Sequence, residues 1–176
     1  YEHESGLKII PAGISIKDLK GADPKEIPNA FLGLLGTTDI VLVDASAGLG
    51  REALSALEAG DELLLITTPD LSSVTDALKT AKLAEQLGTR VTGVVINRTE
   101  RKKHEMTRAD ISAMLGLPIL AEIPEDKHVQ RAIAKRLPVV HHKPHAKSSR
   151  EIRRLARRIA GHPEERRGIF DFLLRK

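Results

Sequence analysis

Residues 39–50 read DIVLVDASAGLG. Asp39 leads into four consecutive apolar residues, Ile40–Val43, and Asp44 ends the run. A loop of small residues follows, with glycines at 48 and 50. Apolar residues without alternation mark a strand covered on both faces, as in a parallel sheet. Four other short runs have the same character: Leu7–Ile10, Glu62–Thr67, Arg90–Ile96 and Ile119–Glu122. Helical patterns separate them near 24–35, 50–58, 72–87 and 107–115. The clearest is 72–87, where Val74, Leu78, Ala81 and Leu87 recur near helical spacing, Ser72 or Ser73 stands at the N-cap, and Gly88 ends the pattern. This alternation predicts an α/β fold, a mostly parallel sheet flanked by helices on both faces. Sites in such sheets lie beyond the carboxyl ends of the strands. The loops after Val43, Thr67, Ile96 and Ile123 are therefore the places to seek function.

Composition narrows the classes. With 176 residues, 41% hydrophobic and 30% charged, the chain has the makings of one globular domain. It has no cysteine, which removes disulfides, thiolate metal sites and a Cys nucleophile together. The four aromatics, Tyr1, Phe31, Phe170 and Phe172, are too few for a base-stacking surface. Charge is unevenly distributed: residues 1–126 hold 13 Lys/Arg against 20 Asp/Glu, whereas residues 127–176 hold 15 against 4. A basic C-terminal part either forms a solvated surface or meets nucleic acid, anionic lipid or an acidic partner. Ser148, with Glu151 three residues on, reads as a capping box opening a helix. Its apolar stripe is Ile152, Leu155, Ala156 and Ile159, with Arg153, Arg154, Arg157 and Arg158 mostly opposite. His141, His142 and His145 lack ligand spacing and read as part of a surface loop.

On its own, a strand ending in Asp44 fits two readings. It is a turn-forming acid, or it is the acid that sits beside a Mg²⁺ bridging nucleotide phosphates, with glycines that let the loop approach them. The surrounding segments bear on the choice. DASAGLG (44–50) is followed by ITTPD (66–70) and SSVTDALKT (72–80), then by VVINR (94–98) and EIPEDKHVQRAI (122–133). In this order and spacing, from about residue 6 to 160, the chain resembles the MinD/ParA family of deviant Walker A P-loop ATPases. The likeness is greatest to archaeal MinD-like cell-division ATPases.

The resemblance implies a P-loop, SIMIBI-like fold with ATP and Mg²⁺ as cofactors. It makes Asp44 the Walker B acid holding Mg²⁺ through water, and puts Ala47 and Gly48 in the switch II loop of the catalytic site. It assigns Asn97, Arg98, Pro124 and Asp126 to the adenine pocket, with the Asn97 amide reading the base edge. It sets Ser72, Ser73 and Asp76 near the face where two ATP-bound subunits meet. Ser46 stands where the family has proline. No glycine-rich loop ending in GK(S/T) occurs in these residues. The Walker A βα units of the family are therefore expected upstream of Tyr1, and this chain alone is expected to bind ATP barely at all.

The last residues, RRGIFDFLLRK (166–176), put Ile169, Phe170, Phe172, Leu173 and Leu174 on one broad helical face. Arg166, Arg167, Asp171 and Arg175 lie largely opposite, after the breaker Gly161-His162-Pro163. This is the composition of an amphipathic helix lying in a headgroup layer; a terminal helix docked on protein is the other reading. MinD proteins carry such a membrane-targeting segment. The expected organisation is an ATPase portion over 1–160, a linker over 161–168 and a membrane-targeting helix over 169–176. The expected protein is an ATP-dependent homodimer, cytoplasmic and peripheral on the inner face of the cell membrane. It would act as a spatial switch in cell division or positioning, with a regulatory or cargo protein as partner. The alternatives are a ParA-like partitioning ATPase whose basic residues contact DNA, and a nucleotide-free membrane adaptor of the same fold.

Overall fold

Parallel pairing of three of the apolar runs organises the second half of the chain. In the computed structural model, which describes residues 1–4, 6–10, 36–45, 48 and 50–162, the chain divides into units 1–59 and 60–176. The second unit holds strands β1 (Glu62–Thr67), β2 (Arg90–Thr99) and β3 (Ile119–Pro124) in one sheet of order β1-β2-β3. Both pairings are parallel, with Leu65 opposite Val94 and Asn97 opposite Ile123. Helix α2 (Leu71–Leu87) connects β1 to β2, and α3 (Arg108–Leu115) connects β2 to β3. After β3 come α4 (Lys127–Ala134), the single turn α5 (Val139–His142) and α6 (Lys147–Ile159). The parallel sheet flanked by helices is the architecture expected from the sequence, with β2 and β3 running a few residues further.

The core lies between the sheet and α2 and α3. Val74, Val94, Ile96 and Ile111 are essentially inaccessible, and Leu65, Ala77, Ala81, Leu115 and Ile119 pack with them. Burying each of the larger side chains contributes about 1.5–3 kcal/mol. Gly93 is what lets β2 pass this closely over the start of β3. It sits at φ +152, and a Cβ there would lie 2.6 Å from the Pro118 carbonyl oxygen and 2.7 Å from Leu120 Cγ. The neighbouring Val94 N–H donates to that same carbonyl at 2.9 Å.

Two helix starts differ from the sequence reading. Asp70, and not Ser72 or Ser73, caps α2: its backbone is extended and its carboxylate accepts from the Ser73 N–H at 2.9 Å. The acid precedes both serines, so Ser73 becomes the third helical residue that an N-cap side chain reaches. At α6 the expected Ser148–Glu151 capping box does not form, because the N-cap is Ala146. Ser148 and Ser149 are fully buried within the first turn. Ser148 Oγ donates to Asp126 at 2.9 Å, and Ser149 Oγ donates to the Val139 and Lys143 carbonyls. Part of the His-rich stretch is helical, as α5.

The first unit holds α1 (Arg51–Ala59), with Ala53, Ser55 and Leu57 buried. Here the strand expectations are not met among the described residues. Residues 7–10 belong to a small antiparallel arm, bridged between Glu2 and Lys8, with the Ile9 N–H donating to Tyr1 O at 2.7 Å. Ile40–Val43 join no ladder and are exposed, Leu42 at 80%. An apolar run becomes a strand only when a neighbouring strand takes up its backbone groups, and the described part of this unit supplies none. The helix expected near 24–35, and residues 163–176, fall outside the described residues.

Candidate functional site

The carboxyl ends of β1, β2 and β3 deliver three short polar segments to one end of the sheet: Thr68-Pro69-Asp70, Asn97-Arg98-Thr99-Glu100 and Pro124-Glu125-Asp126. A cleft of about 240 Å³ opens among them, lined by Thr68, Pro69, Asp70, Arg98 and Glu125, with Glu100, His104 and Glu105 from the loop after β2. A second cleft, about 260 Å³, lies on the other side of Pro69 and Glu105 and is bordered by Arg101, Met106 and Arg108. Glu105 holds the loop between them, accepting from the Glu100 N–H at 3.0 Å and the Arg101 N–H at 2.8 Å.

Arg98 dominates the first cleft. Its backbone is left-handed, φ 60, an uncommon setting for a side chain with a Cβ and one that concentrates at functional sites. Its guanidinium Nε donates to Glu125 Oε2 at 2.7 Å, tying the ends of β2 and β3 across the cleft. That hydrogen bond, with the charge of Glu125, raises the guanidinium pKa further. The Arg98 N–H donates to Asn97 Oδ1 at 3.0 Å, which fixes the half-buried Asn97 side chain.

Opposite, Asp70 accepts from Thr68 Oγ1 at 2.5 Å and from the Ser73 N–H. These bonds, the Thr68 one foremost, lower its pKa, so it is a carboxylate at neutral pH. Asp126, beyond the cleft lining, caps α4 by accepting from the His128 N–H at 2.9 Å and also takes Ser148 Oγ. Burial opposes its ionisation, but the His128 and Ser148 hydrogen bonds outweigh burial and its pKa is lowered. Both of its oxygens are thus occupied within the chain, bracing the β3–α4 turn against α6.

The remaining residues singled out from sequence fall as follows. Ser73 is taken up by the cap network, its hydroxyl donating to Thr68 Oγ1 at 2.8 Å while the Thr68 proton goes to Asp70. Ser72 and Asp76 are exposed on the first two turns of α2, and Asp76 pairs with Lys79 at 2.9 Å. Pro124 ends β3, directly before Glu125. Asp44 is exposed in the first unit, and Gly48, four residues on, sits at φ +96, where glycine is the low-cost residue. Ser46, Ala47 and the tail residues Ile169, Phe170, Phe172, Leu173 and Leu174 lie outside the described residues. Of the residues lining the first cleft, the sequence reading singled out Arg98 and missed Thr68, Asp70, Glu100, His104, Glu105 and Glu125. Glu125 had a signal, since it lies between Pro124 and Asp126; nothing in the sequence marks Glu105 as a loop clamp. Among the described residues no His/Asp/Glu group is arranged to hold a metal ion, and no helix is long and apolar enough to cross a membrane.

A parallel α/β sheet with a polar cleft at its strand ends defines a class of ligand-binding proteins, and comparison with known proteins narrows it. Residues 10–132 match the model of an AAA domain family (AAA_26). An ATP-binding protein of Methanocaldococcus jannaschii is 35% identical over 163 residues, covering 93% of this chain and 62% of the relative. The septum site-determining protein MinD of Pyrococcus horikoshii, solved in complex with Mg-ADP, superposes with TM-score 0.79 at 29% identity, over 84% of this chain and 60% of that one. The cell division ATPase MinD of Pyrococcus furiosus gives TM-score 0.80 at 30% identity, over 85% and 63%. The chain belongs to this AAA domain family, and MinD proteins are among its relatives in sequence and in structure. It spans about three-fifths of the length of each of these three relatives.

Proposed function

We propose that the protein containing this chain is an ATP hydrolase that dimerises with ATP bound and associates with the inner face of the cell membrane, switching position with its nucleotide state. The observation that carries this reading is the meeting of Asp70, Arg98 and Glu125 in one cleft at the ends of three parallel strands. Ligands bind in this position in sheets of this kind.

The residues present fit the base end of a nucleotide. Asn97, next to Arg98 and outside the cleft lining, has its carbonyl oxygen held by the Arg98 N–H, which leaves its amide nitrogen to donate to a base edge. They fit the phosphate end only in part: Asp44 and the glycine at 48 suit the neighbourhood of a metal-bound phosphate, but these residues contain no GK(S/T) loop. Bound Mg-ATP would supply the scissile phosphoanhydride and the metal's charge. Asp44 would orient the metal's water, Gly48 would let the following loop change shape, and Asn97, Arg98 and Pro124 would hold the base, with Asp126 fixing the loop beneath. Ser72 and Asp76, exposed on α2, would face a second subunit, Asp76 exchanging its Lys79 partner for one across the dimer, and residues 169–174 would meet anionic lipid. Two such anchors on one dimer act together, because the second binding event is intramolecular.

The partitioning alternative, in which Arg153, Arg154, Arg157 and Arg158 grip DNA, is less well supported. Arg153 donates to the Val140 and Pro144 carbonyls, and Arg158 to the Leu120 carbonyl at 3.2 Å, so both brace the fold. The test is phosphate release from ATP by the product of the full coding sequence. Asp44→Ala should reduce turnover to background, and Asn97→Ala should narrow the preference for ATP over GTP. Turnover by Asp44→Ala at the parent rate would refute the proposal.

A further inference from the structure

The C-terminal end of α4 carries features that nucleotide binding does not use. Ile133 is 69% exposed and Leu137 50% exposed, while the one fully buried side chain of the helix is Ala132. Arg131, Lys135 and Arg136 stand among them and are exposed. From Lys127 to His162 the sequence contains one acid, Glu151. The helix stops in a Schellman motif: the Leu137 N–H donates to Ala132 O at 3.0 Å and the Arg136 N–H to Ile133 O at 2.9 Å. The left-handed residue that the motif requires is Arg136, φ 55, where glycine is the low-cost occupant. A strained backbone thus presents a cation next to two exposed apolar side chains.

Single exposed apolar residues need no explanation. Two within one turn, flanked by three cations, have the composition of a surface that enters a headgroup layer, the apolar groups at the acyl boundary and the Lys/Arg heads at the phosphates. A nucleic-acid backbone would use the cations but gain nothing from Ile133 and Leu137. We propose that the end of α4, Arg131–Leu137, is a contact site for an anionic lipid surface, made by the folded body and separate from residues 169–174. It rests on the membrane reading above but not on the tail.

The test is co-sedimentation of the product of the full coding sequence, in Mg-ATP, with vesicles of phosphatidylglycerol and phosphatidylcholine in equal parts, beside vesicles of phosphatidylcholine alone. Ile133→Gln with Leu137→Gln should weaken binding to the anionic vesicles at least fivefold, and Arg136→Gly about threefold. Because glycine relaxes the αL position, Arg136→Gly should hold or raise the melting midpoint, so its lost binding cannot come from unfolding. Phe170→Asp separates the two readings. If it abolishes binding while the α4 variants bind like the parent, the tail stands and this proposal falls. If it leaves binding intact while the α4 variants lose it, this proposal stands and the tail reading falls. No vesicle binding by this product also overturns it. So does binding to duplex DNA that Arg136→Gly weakens and the Ile133/Leu137 pair does not, because that assigns the patch to nucleic acid.

Discussion

Asp126 and Ser148 are 22 residues apart, and the bond between them is where the turn after β3 is locked to α6. Ser148→Ala would leave an Asp126 oxygen half-buried without its strongest partner. The expected loss is about 1–3 kcal/mol, read as a lower urea midpoint. The pH dependence follows from the direction of the Asp126 shift. Its folded pKa is below the ordinary carboxylate value, so its contribution is fully present above pH about 4 and is lost as pH falls through the lower folded value. The stability gap between the parent and Asp126→Asn should therefore be constant from neutral pH to about 5 and close as the solution is acidified below about 4. A gap that widens on acidification would contradict the assignment. Arg98 belongs to this scale too. Glu125→Gln would remove the charge that holds its guanidinium, and the expected result is weaker nucleotide binding by the complete protein with little change in melting temperature. The tie is exposed, and exposed ion pairs contribute little stability.

At the scale of elements, the helix starts and β-strand packing set the expected losses. Asp70→Ala removes the α2 cap and should cost about 1–2 kcal/mol, measurable by chemical denaturation. Gly93→Ala forces a Cβ against the Pro118 carbonyl in a backbone region that L residues avoid, and should cost about 2–4 kcal/mol or prevent folding. These elements also mark how far the sequence could be read. The central strand β2 was legible because both of its faces are covered, so VTGVVI carries no alternation, whereas edge strand β1 was read from its apolar run although Ile66 is exposed. Ile40–Val43 have the same composition but join no ladder, because periodicity reports a preference for burial and carries no information on which partner supplies it. The α2 cap was misread because Asp70 and the serines after it compete for the same N–H groups, and the winner depends on backbone angles one residue earlier; the α6 N-cap is Ala146, with no side-chain cap. At α6 a contact from Asp126 also draws Ser148 away from the cap, and so long-range a contact leaves no local trace.

For the molecule as a whole, the candidate site was legible where it rests on strand ends and hidden where it rests on loop conformation. Asn97, Arg98 and Pro124 end apolar strands, so their place at the carboxyl edge of the sheet could be read from the sequence, though of the three only Arg98 lines the cleft. Glu105 reaches back to two N–H groups of its own loop, and Arg98, Arg101 and Arg136 take left-handed backbones, none of which residue type announces. Lysine and arginine are concentrated after residue 127, and under the proposed membrane reading these cations would be drawn to an anionic surface. Such attraction is screened by salt, so vesicle binding should fall steeply between low and physiological ionic strength. The most direct measurement takes the product of the full coding sequence and follows its co-sedimentation with anionic vesicles in Mg-ATP and in Mg-ADP, with Asp44→Ala alongside. The account predicts a larger bound fraction in ATP, release as ATP is consumed, and persistent binding without turnover for Asp44→Ala. Equal binding in the two nucleotides, with Asp44→Ala releasing like the parent, would contradict it.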